Sequence, residues 1–259
     1  MIIEAIWQMA NGEHDGELKK QIEGLKAAIA RSRRLCVFSG AGISCPSGIP
    51  DFRSADGIYN QPGLEGYSPE QIISHSFLEL RPELFFEFYR SRLVYPDAKP
   101  NSAHIYFAKL ESPSRRVDVV TQNIDGLHSA AGSTHVIELH GAVARNYCVR
   151  CGKRYGLEYI LSTSGVPHCD CGGMVRPDVV LYEEPLDENV IYEAIDAISH
   201  ADTMVVVGTS LTVYPAASFT GYFRGDVLAV INRDPTPLDR YADFAIYGDA
   251  AEIARQLAE

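Results

Sequence analysis

Apolar residues recur along this chain with two alternating periods. From Glu17 to Arg34, Leu18, Ile22, Leu25 and Ile29 fall three and four apart with lysines and glutamates between them. That spacing predicts an amphipathic helix with its apolar stripe against a core. At Leu35-Cys36-Val37-Phe38 the pattern becomes a short continuous apolar run ending at Ser39-Gly40-Ala41-Gly42, as a buried strand entering a glycine turn would. Similar runs follow at Val117–Val120, Val136–Leu139, Met204–Val207, Val227–Ile231 and Phe244–Tyr247. Helix-like stretches separate several of them, notably Leu186–Ser199 and Ala250–Leu257. Buried strands alternating with helices predict an α/β fold, a doubly wound and mostly parallel sheet covered on both faces.

Two stretches interrupt the alternation. Residues 54–101 are rich in glycine and proline at first (Gly57, Pro62, Gly63, Gly66, Pro69) and then predict a helix around Pro82–Leu93. Residues 147–173 carry clustered cysteines. Both read as insertions that together form a smaller lobe, leaving residues 1–53, 102–146 and 174–259 as the α/β framework. The acidic segment before Leu18 reads as a surface extension.

Composition narrows the function. An apolar fraction of 46% and a charged fraction of 22% over 259 residues are those of a globular chain at the upper end of what one core serves. The formal charge of −11 disfavours a dedicated nucleic-acid role, which needs a basic face. It tolerates basic partners such as lysine-rich segments. No apolar run approaches the roughly 20 residues of a membrane span, and the start lacks the basic and apolar regions of a secretory signal. The expectation is a soluble cytoplasmic protein with no direct nucleic-acid partner and no membrane partner.

Six cysteines are present, four of them close together: Cys148, Cys151, Cys169 and Cys171. Two pairs separated by a short segment supply four thiolates for a tetrahedral zinc, with no position left for water, so the metal would be structural. Reduced free thiols are the alternative.

Five further motifs stand at strand ends, where open α/β sheets bind ligands. Gly40-Ala41-Gly42-Ile43-Ser44 follows the first strand. Glycines there let backbone amides approach a pyrophosphate, and a helix N-terminus would add partial positive charge; a plain tight turn explains the same residues. Ser47-Gly48-Ile49-Pro50-Asp51-Phe52-Arg53 places an acid, an aromatic and a guanidinium together, suited to a nicotinamide face and a phosphate, or to an Asp51–Arg53 ion pair. Thr121-Gln122-Asn123-Ile124-Asp125 offers polar groups to a ribose and an amide, and equally starts a turn. His140 ends a strand where a near-neutral imidazole can act as general base. Val207-Gly208-Thr209-Ser210-Leu211, with Asn232 after a later strand, completes the set.

Taken together these residues resemble the sirtuin family of bacterial type, from about Leu35 to the C-terminus. The matching blocks are GAGIS (40–44), GIPDFR (48–53), TQNIDGLH (121–128), ELHG (138–141), the four cysteines, GTSLTVYPAA (208–217) and the IN pair (231–232). The resemblance implies a Rossmann-like lobe, a small lobe built from a helical insertion and a zinc-ribbon module, and a cleft between them where NAD meets an acyl-lysine peptide. Carried onto this chain, it sets Gly40, Ala41, Gly42, Ser44 and Cys45 against the phosphates and neighbouring ribose, with Asp51, Phe52, Arg53 and Tyr59 over them. Ile124 and Asp125 line the nicotinamide pocket, and Gln122 and Asn123 face its ribose. Gly208, Thr209, Ser210, Asn232, Asp249 and Ala250 hold the adenosine half, and Val180, Leu181 and Val213 hold the peptide. The implied chemistry is acyl transfer from lysine to ADP-ribose with release of nicotinamide, His140 acting as general base on a ribose hydroxyl and Asn123 assisting. An ADP-ribosyltransferase or NAD glycohydrolase would use the same pocket without deacylation.

The chain departs from the family pattern at three places. Cys45 stands where threonine is common, Tyr182-Glu183-Glu184 where Phe-Gly-Glu is common, and the insertion before Tyr89 is longer than in the desuccinylase-like branch. Tyr89 and Arg92, three apart on a helix face, resemble the Tyr-x-x-Arg pair of sirtuins that remove succinyl or malonyl groups; deacetylation is the primary expectation, and the acidic-acyl activity the alternative.

Overall fold

The computed structural model describes residues 2–259, with side chains from Gly16 onward. Helix α1 (Ile2–Arg31) leads into strand β1 (Arg34–Ser39). The insertion that follows carries α2 (Pro69–Ile72), α3 (His75–Leu80) and α4 (Pro82–Phe88), the last continuing as one π-helical turn, Tyr89–Leu93. Next come α5 (Ser102–Lys109), β2 (Arg116–Thr121), α6 (Leu127–Ala130) and β3 (His135–Glu138). The cysteine-bearing region contains β4 (Gly141–Cys148), β5 (Arg154–Gly156), α7 (Leu157–Ser162) and β6 (Val175–Val179). The chain ends with α8 (Glu188–Ser199), β7 (Thr203–Val207), β8 (Val227–Asn232), β9 (Phe244–Tyr247) and α9 (Ala250–Ala258).

Six strands form one parallel sheet in the order β3-β2-β1-β7-β8-β9. The order reverses between β1 and β7, so the chain leaves these neighbours in opposite directions and opens a crevice at their carboxyl ends. Each apolar run of the sequence proves to be a strand because both faces of the sheet are covered. Leu35 and Val37 of β1, Val205 and Val207 of β7, and Ala229 and Ile231 of β8 face one core with α1, α5 and α9. The intervening Cys36, Phe38, Met204, Val206, Leu228 and Val230 face the other, against α8 and the 3₁₀ segment Ala216–Tyr222. The two-residue period of a strand therefore sorts one unbroken apolar run onto two cores.

Helix α1 begins fifteen residues before its expected start at Glu17 (Ile2 against 17), and it ends three residues early, at Arg31. Ile22, Leu25 and Ile29 are buried as their spacing requires. The early end has a local cause: the Asp202 carboxylate accepts from Ser32 Oγ (2.5 Å) and from the backbone amides of Arg33 (2.8 Å) and Arg34 (3.0 Å), turning the chain out of the helix. The segment before Leu18, expected as a plain surface extension, is backbone-helical from Ile2, and its side chains up to Asp15 lie outside the described residues.

A second, antiparallel sheet has the order β5-β4-β6. Its strands run from Gly141 to Val179, wider than the cysteine-bearing stretch itself. It shares a third core with the helical insertion, in which Phe85, Phe86, Phe88, Val143, Val175 and Leu181 are all buried. No helix among the described residues is long and apolar enough to cross a membrane.

Candidate functional site

A cleft of about 860 Å³ opens at the carboxyl ends of β1, β2, β7 and β8, against the insertion and the loop after β6. Its floor requires glycine. Gly40 N–H bonds the Val207 carbonyl at 3.1 Å and Gly42 N–H bonds the Gly208 carbonyl at 2.8 Å, so two strand-end turns lie directly against each other. A β-carbon on Gly42 would come 2.9 Å from the Gly208 oxygen, and one on Gly208, whose φ is +62°, 2.2 Å from the Ile43 nitrogen. The turn leads into two short 3₁₀ turns, Ala41–Ile43 and Cys45–Ser47, rather than the α-helix expected from sequence. The amides of Gly40 and Gly42 are spent on these carbonyls, so what this corner offers a ligand is a close approach to side-chain-free backbone, not the macrodipole of a long helix.

The loop Asp51–Gln61 forms one wall. Asp51 accepts from the backbone amides of Arg53 (2.9 Å) and Ser54 (2.7 Å), so its carboxylate shapes the loop and does not pair with the Arg53 guanidinium. That guanidinium lies 5.3 Å above the Tyr59 ring, which in turn sits 5.3 Å from Phe52. Cys45 faces the same corner, its thiol held above its ordinary range first by burial and then by the nearby Asp51 charge.

Ser44 is the hub of a buried network behind the cleft. Its hydroxyl donates to Asp125 Oδ2 at 2.7 Å and accepts from Asn123 Nδ2 at 3.1 Å. Asp125 Oδ1 caps α6 by accepting from Leu127 N–H at 2.8 Å. Two buried histidines, His104 and His128, stand behind with ring centroids 4.8 Å apart. Burial lowers His104 to about 4, opposed by Asp125, and lowers His128 to about 3, helped by His104. Both are neutral near pH 7. His128 Nε2 lies 2.9 Å from Ser39 Oγ, which bonds Thr121 Oγ1 at 2.9 Å. His128 closes the TQNIDGLH block at 121–128, but its pairing with His104 is not legible in the sequence, because their meeting depends on contacts between distant segments.

His140 lines the cleft. Its Nδ1 lies 2.8 Å from the Gln122 carbonyl oxygen, which can only accept, so Nδ1 carries the proton and Nε2 is left as the acceptor. Burial pushes its pKa below the usual histidine value, with the carbonyl contact partly opposing. Gln122 also donates from Nε2 to Thr209 Oγ1 at 3.1 Å, joining the ends of β2 and β7.

The structure brings almost every expected cofactor residue to this cleft: those at 40–42, 44–45, 51–53, 59, 122–125, 140, 208–210, 232 and 250. Asp249 is the exception. Its carboxylate caps α9 by accepting from Ala251 (2.9 Å) and Glu252 (3.1 Å) and pairs with Arg233 at 2.7 Å, so it stands behind the cleft wall. Arg233, unremarkable in sequence beyond its place after Asn232, lines the cleft instead. Val180, Leu181 and Val213 line the opposite end.

Tyr89 and Arg92 require a correction. Arg92 reaches the cleft and bonds Gln61, but Tyr89 is only 1% exposed and stacks among Phe85 and Phe86 in the third core. The helix becomes π-helical at Tyr89, and with more than four residues per turn positions three apart no longer share a face. The pair therefore forms no carboxylate clamp at the cleft.

The loop after β6 is gripped from three sides. Glu184 accepts from Leu181 N–H (2.8 Å) and pairs with Arg176 on β6 (2.5 Å). Glu183, at φ +75°, accepts from Ser76 N–H (2.9 Å) and Oγ (3.0 Å). The Tyr182 hydroxyl lies 2.6 Å from that of Tyr59.

Away from the cleft, the sulfurs of Cys148, Cys151, Cys169 and Cys171 all lie within 4.8 Å of one another, with Cys148–Cys171 at 3.5 Å and Cys151–Cys169 at 3.6 Å. Four sulfurs about 2.3 Å from a tetrahedral zinc lie roughly 3.8 Å apart, so the donor set and its spacing fit that ion. Arg150 N–H points at Cys148 Sγ from 3.4 Å, which favours the thiolate.

A Rossmann-type sheet, a glycine-floored crevice at its switch point and a four-thiolate module define a dinucleotide-binding α/β protein with a structural metal site. Residues 40–215 match the model of the Sir2 family, and the chain belongs to that family. It is 56% identical over 235 residues to an NAD-dependent protein deacetylase of Clostridium perfringens, covering 90% of this chain and 96% of the relative. It is 46% identical over 241 residues to an NAD-dependent protein deacetylase of Staphylococcus aureus, covering 93% and 99%. Among solved structures, a Sir2–p53 peptide–NAD+ complex superposes with a TM-score of 0.77 at 40% identity, covering 88% of this chain and 93% of that one. Sir2Tm bound to a propionylated peptide gives 0.79 at 40% identity, covering 91% and 96%.

Proposed function

We propose that this protein is an NAD-dependent protein lysine deacetylase, moving the acetyl group of an acetyl-lysine protein or peptide onto ADP-ribose and releasing nicotinamide. The observation that carries the reading is His140: neutral, lining the cleft, its Nδ1–H fixed on the Gln122 carbonyl and its Nε2 held as a base. The named activity of the bacterial relatives supports it.

NAD, bound as co-substrate, supplies an electrophilic ribose carbon and a nicotinamide leaving group. The glycine turn Gly40–Gly42 and the Arg53 guanidinium are read as the phosphate site, and Phe52 and Tyr59 as the cover over it. Asn123, fixed by Ser44, and Gln122, fixed by Thr209, offer side-chain amides to the nicotinamide ribose. Ile124 and Asp125 wall the nicotinamide end. His140 Nε2 takes a ribose hydroxyl proton at the acyl-transfer step, a role that typically contributes about 10²–10⁴-fold in rate. Thr209, Ser210, Asn232 and Ala250 are assigned to the adenosine half, and Val180, Leu181 and Val213 to the acyl-lysine chain.

Segments 54–101 and 147–173 form the smaller lobe in this reading, supported by the core they share. Zinc on the four cysteines would hold that lobe's sheet together and take no part in the reaction. A cytoplasmic location is part of the same proposal and draws on the bacterial relatives.

The test is nicotinamide release from NAD by purified protein given matched acetyl-lysine, succinyl-lysine and unmodified peptides. Release that depends on the acetyl peptide is expected. Release indifferent to peptide would replace the reading with an NAD glycohydrolase, and a strong succinyl preference would overturn the acyl assignment.

A further inference from the structure

Resting on the deacetylase reading, we propose that Tyr182 is a positioning residue for the NAD-side loop, its hydroxyl transmitting the order of the peptide-side loop to Tyr59. The two phenol oxygens meet at 2.6 Å. On the peptide side Tyr182 is fixed by its backbone: its N–H bonds the Ile73 carbonyl at 3.1 Å, and its carbonyl accepts from His75 N–H at 3.0 Å. On the other side Tyr59 N–H bonds the Phe52 carbonyl at 3.0 Å, and its ring lies against both the Phe52 ring and the Arg53 guanidinium. A continuous line of contacts thus runs from the peptide-side loop to the two side chains assigned to the nucleotide.

The loop depends on this line because its other hydrogen bonds are mostly its own. Gly57 bonds Ser54, Ile58 bonds Asp51, Gln61 bonds Ile58, and Asn60 bonds Arg53 and Ser54. Among the described residues, the side-chain hydrogen bonds that tie the loop to the rest of the protein are Tyr59 to Tyr182, Gln61 to Arg92, and the long contact from the Cys45 thiol to Asp51. Phenylalanine at position 182, the residue common in the family pattern, would leave the Tyr59 hydroxyl without its partner. A peptide that orders the loop around Tyr182 therefore also orders Tyr59, and NAD then meets a loop whose ordering entropy is already lost. Coupling of this kind is reciprocal. A net hydrogen bond between neutral groups sets its size at about two- to tenfold in affinity.

The experiment measures binding of carba-NAD, an analogue that cannot release nicotinamide, by calorimetry on the full chain with and without saturating acetyl-lysine peptide. The wild type, Tyr182→Phe, Tyr59→Phe and the double variant are compared, with nicotinamide release from NAD assayed in parallel. Peptide is expected to tighten carba-NAD binding by about two- to tenfold more in the wild type than in Tyr182→Phe. The double variant should match either single one, and peptide affinity without nucleotide should change less than about twofold, showing an intact loop. Equal tightening in wild type and Tyr182→Phe overturns the proposal. A wild type that binds both ligands yet releases no nicotinamide overturns the deacetylase reading while the coupling comparison still decides the role of Tyr182; one that binds no acetyl peptide overturns both.

Discussion

Arg176 Nη1 and Nη2 both donate to the Glu184 carboxylate, at 2.5 and 3.0 Å, and Nη2 donates to the Val179 carbonyl at 3.0 Å. The same carboxylate lies 2.8 Å from His75 Nδ1. One largely buried ion pair thus joins strand β6, which follows the cysteine pairs, to the helical insertion and to the cleft-lining loop assigned to the peptide. The Arg176 charge holds Glu184 below the usual carboxylate range against the opposing effect of burial.

Arg176→Met is expected to destabilise the protein by roughly 3 kcal/mol, the lower end for breaking a buried pair, because Glu184 keeps its charge with only the Leu181 amide and the His75 ring to offset it. Thermal unfolding measures the loss. In the surviving folded enzyme the KM for peptide should rise well above that of wild type while the KM for NAD changes little. An equal rise in both would remove the link between this pair and the peptide loop.

His140→Ala should lower kcat by about 10²–10⁴-fold and leave NAD binding measurable. The pH profile of the wild type follows from the same residue. A base is active when unprotonated, and burial lowers the pKa of His140 in the folded protein. Activity should therefore stay level from neutral pH down past the ordinary histidine value and fall only at more acidic pH. A kcat/KM profile that already declines above pH 7 would point to another base.

Acid sensitivity should arise from His104 and His128. Their folded pKa values of about 4 and about 3 lie below an unfolded value near 6.5, so the unfolded chain binds more protons below that pH. Their neutral burial is without penalty above about pH 6.5, and stability falls as pH drops through the window towards 4. Between pH 7 and pH 5 each contributes a loss of about 2 kcal/mol. Urea unfolding at the two pH values checks this, and His128→Asn should flatten the dependence.

One zinc per chain is expected by elemental analysis. Cys169→Ala should lose it and loosen the sheet β5-β4-β6, since a structural zinc contributes folding free energy directly. Full metal occupancy in that variant would show that the four sulfurs are not the ligands.

The main sheet was legible because parallel strands buried on both faces are written as unbroken apolar runs, as at Leu35–Phe38 and Met204–Val207. Which residue of each run faces which core was not, since that depends on where the helices pack. The glycine turn was legible as a turn; the 2.9 Å approach that forbids a side chain at Gly42 emerged only when Gly208 was set against it. Within the first half of α1 the stretch from Asn11 to Gly16 has no apolar residue and includes Gly12 and Gly16, poor helix formers, so the periodicity breaks there and hides the continuity of the helix. Tyr89 misled for a geometric reason. Spacing of three means a shared face only in an α-helix, and the helix changes type at that residue.

Glu183 occupies left-handed backbone space at φ +75°, which suits glycine and costs other residues of order 1 kcal/mol. Two bonds from Ser76 to its carboxylate offset that cost. A glycine there would leave an unbound loop free to sample both halves of φ space. The glutamate instead narrows the conformations at one position of the edge assigned to the peptide, so a bound peptide has only the remaining freedom of Val180–Tyr182 to remove. In this chain the shape of the binding edge is carried by a side chain anchored on α3, and substrate binding has correspondingly less disorder to remove.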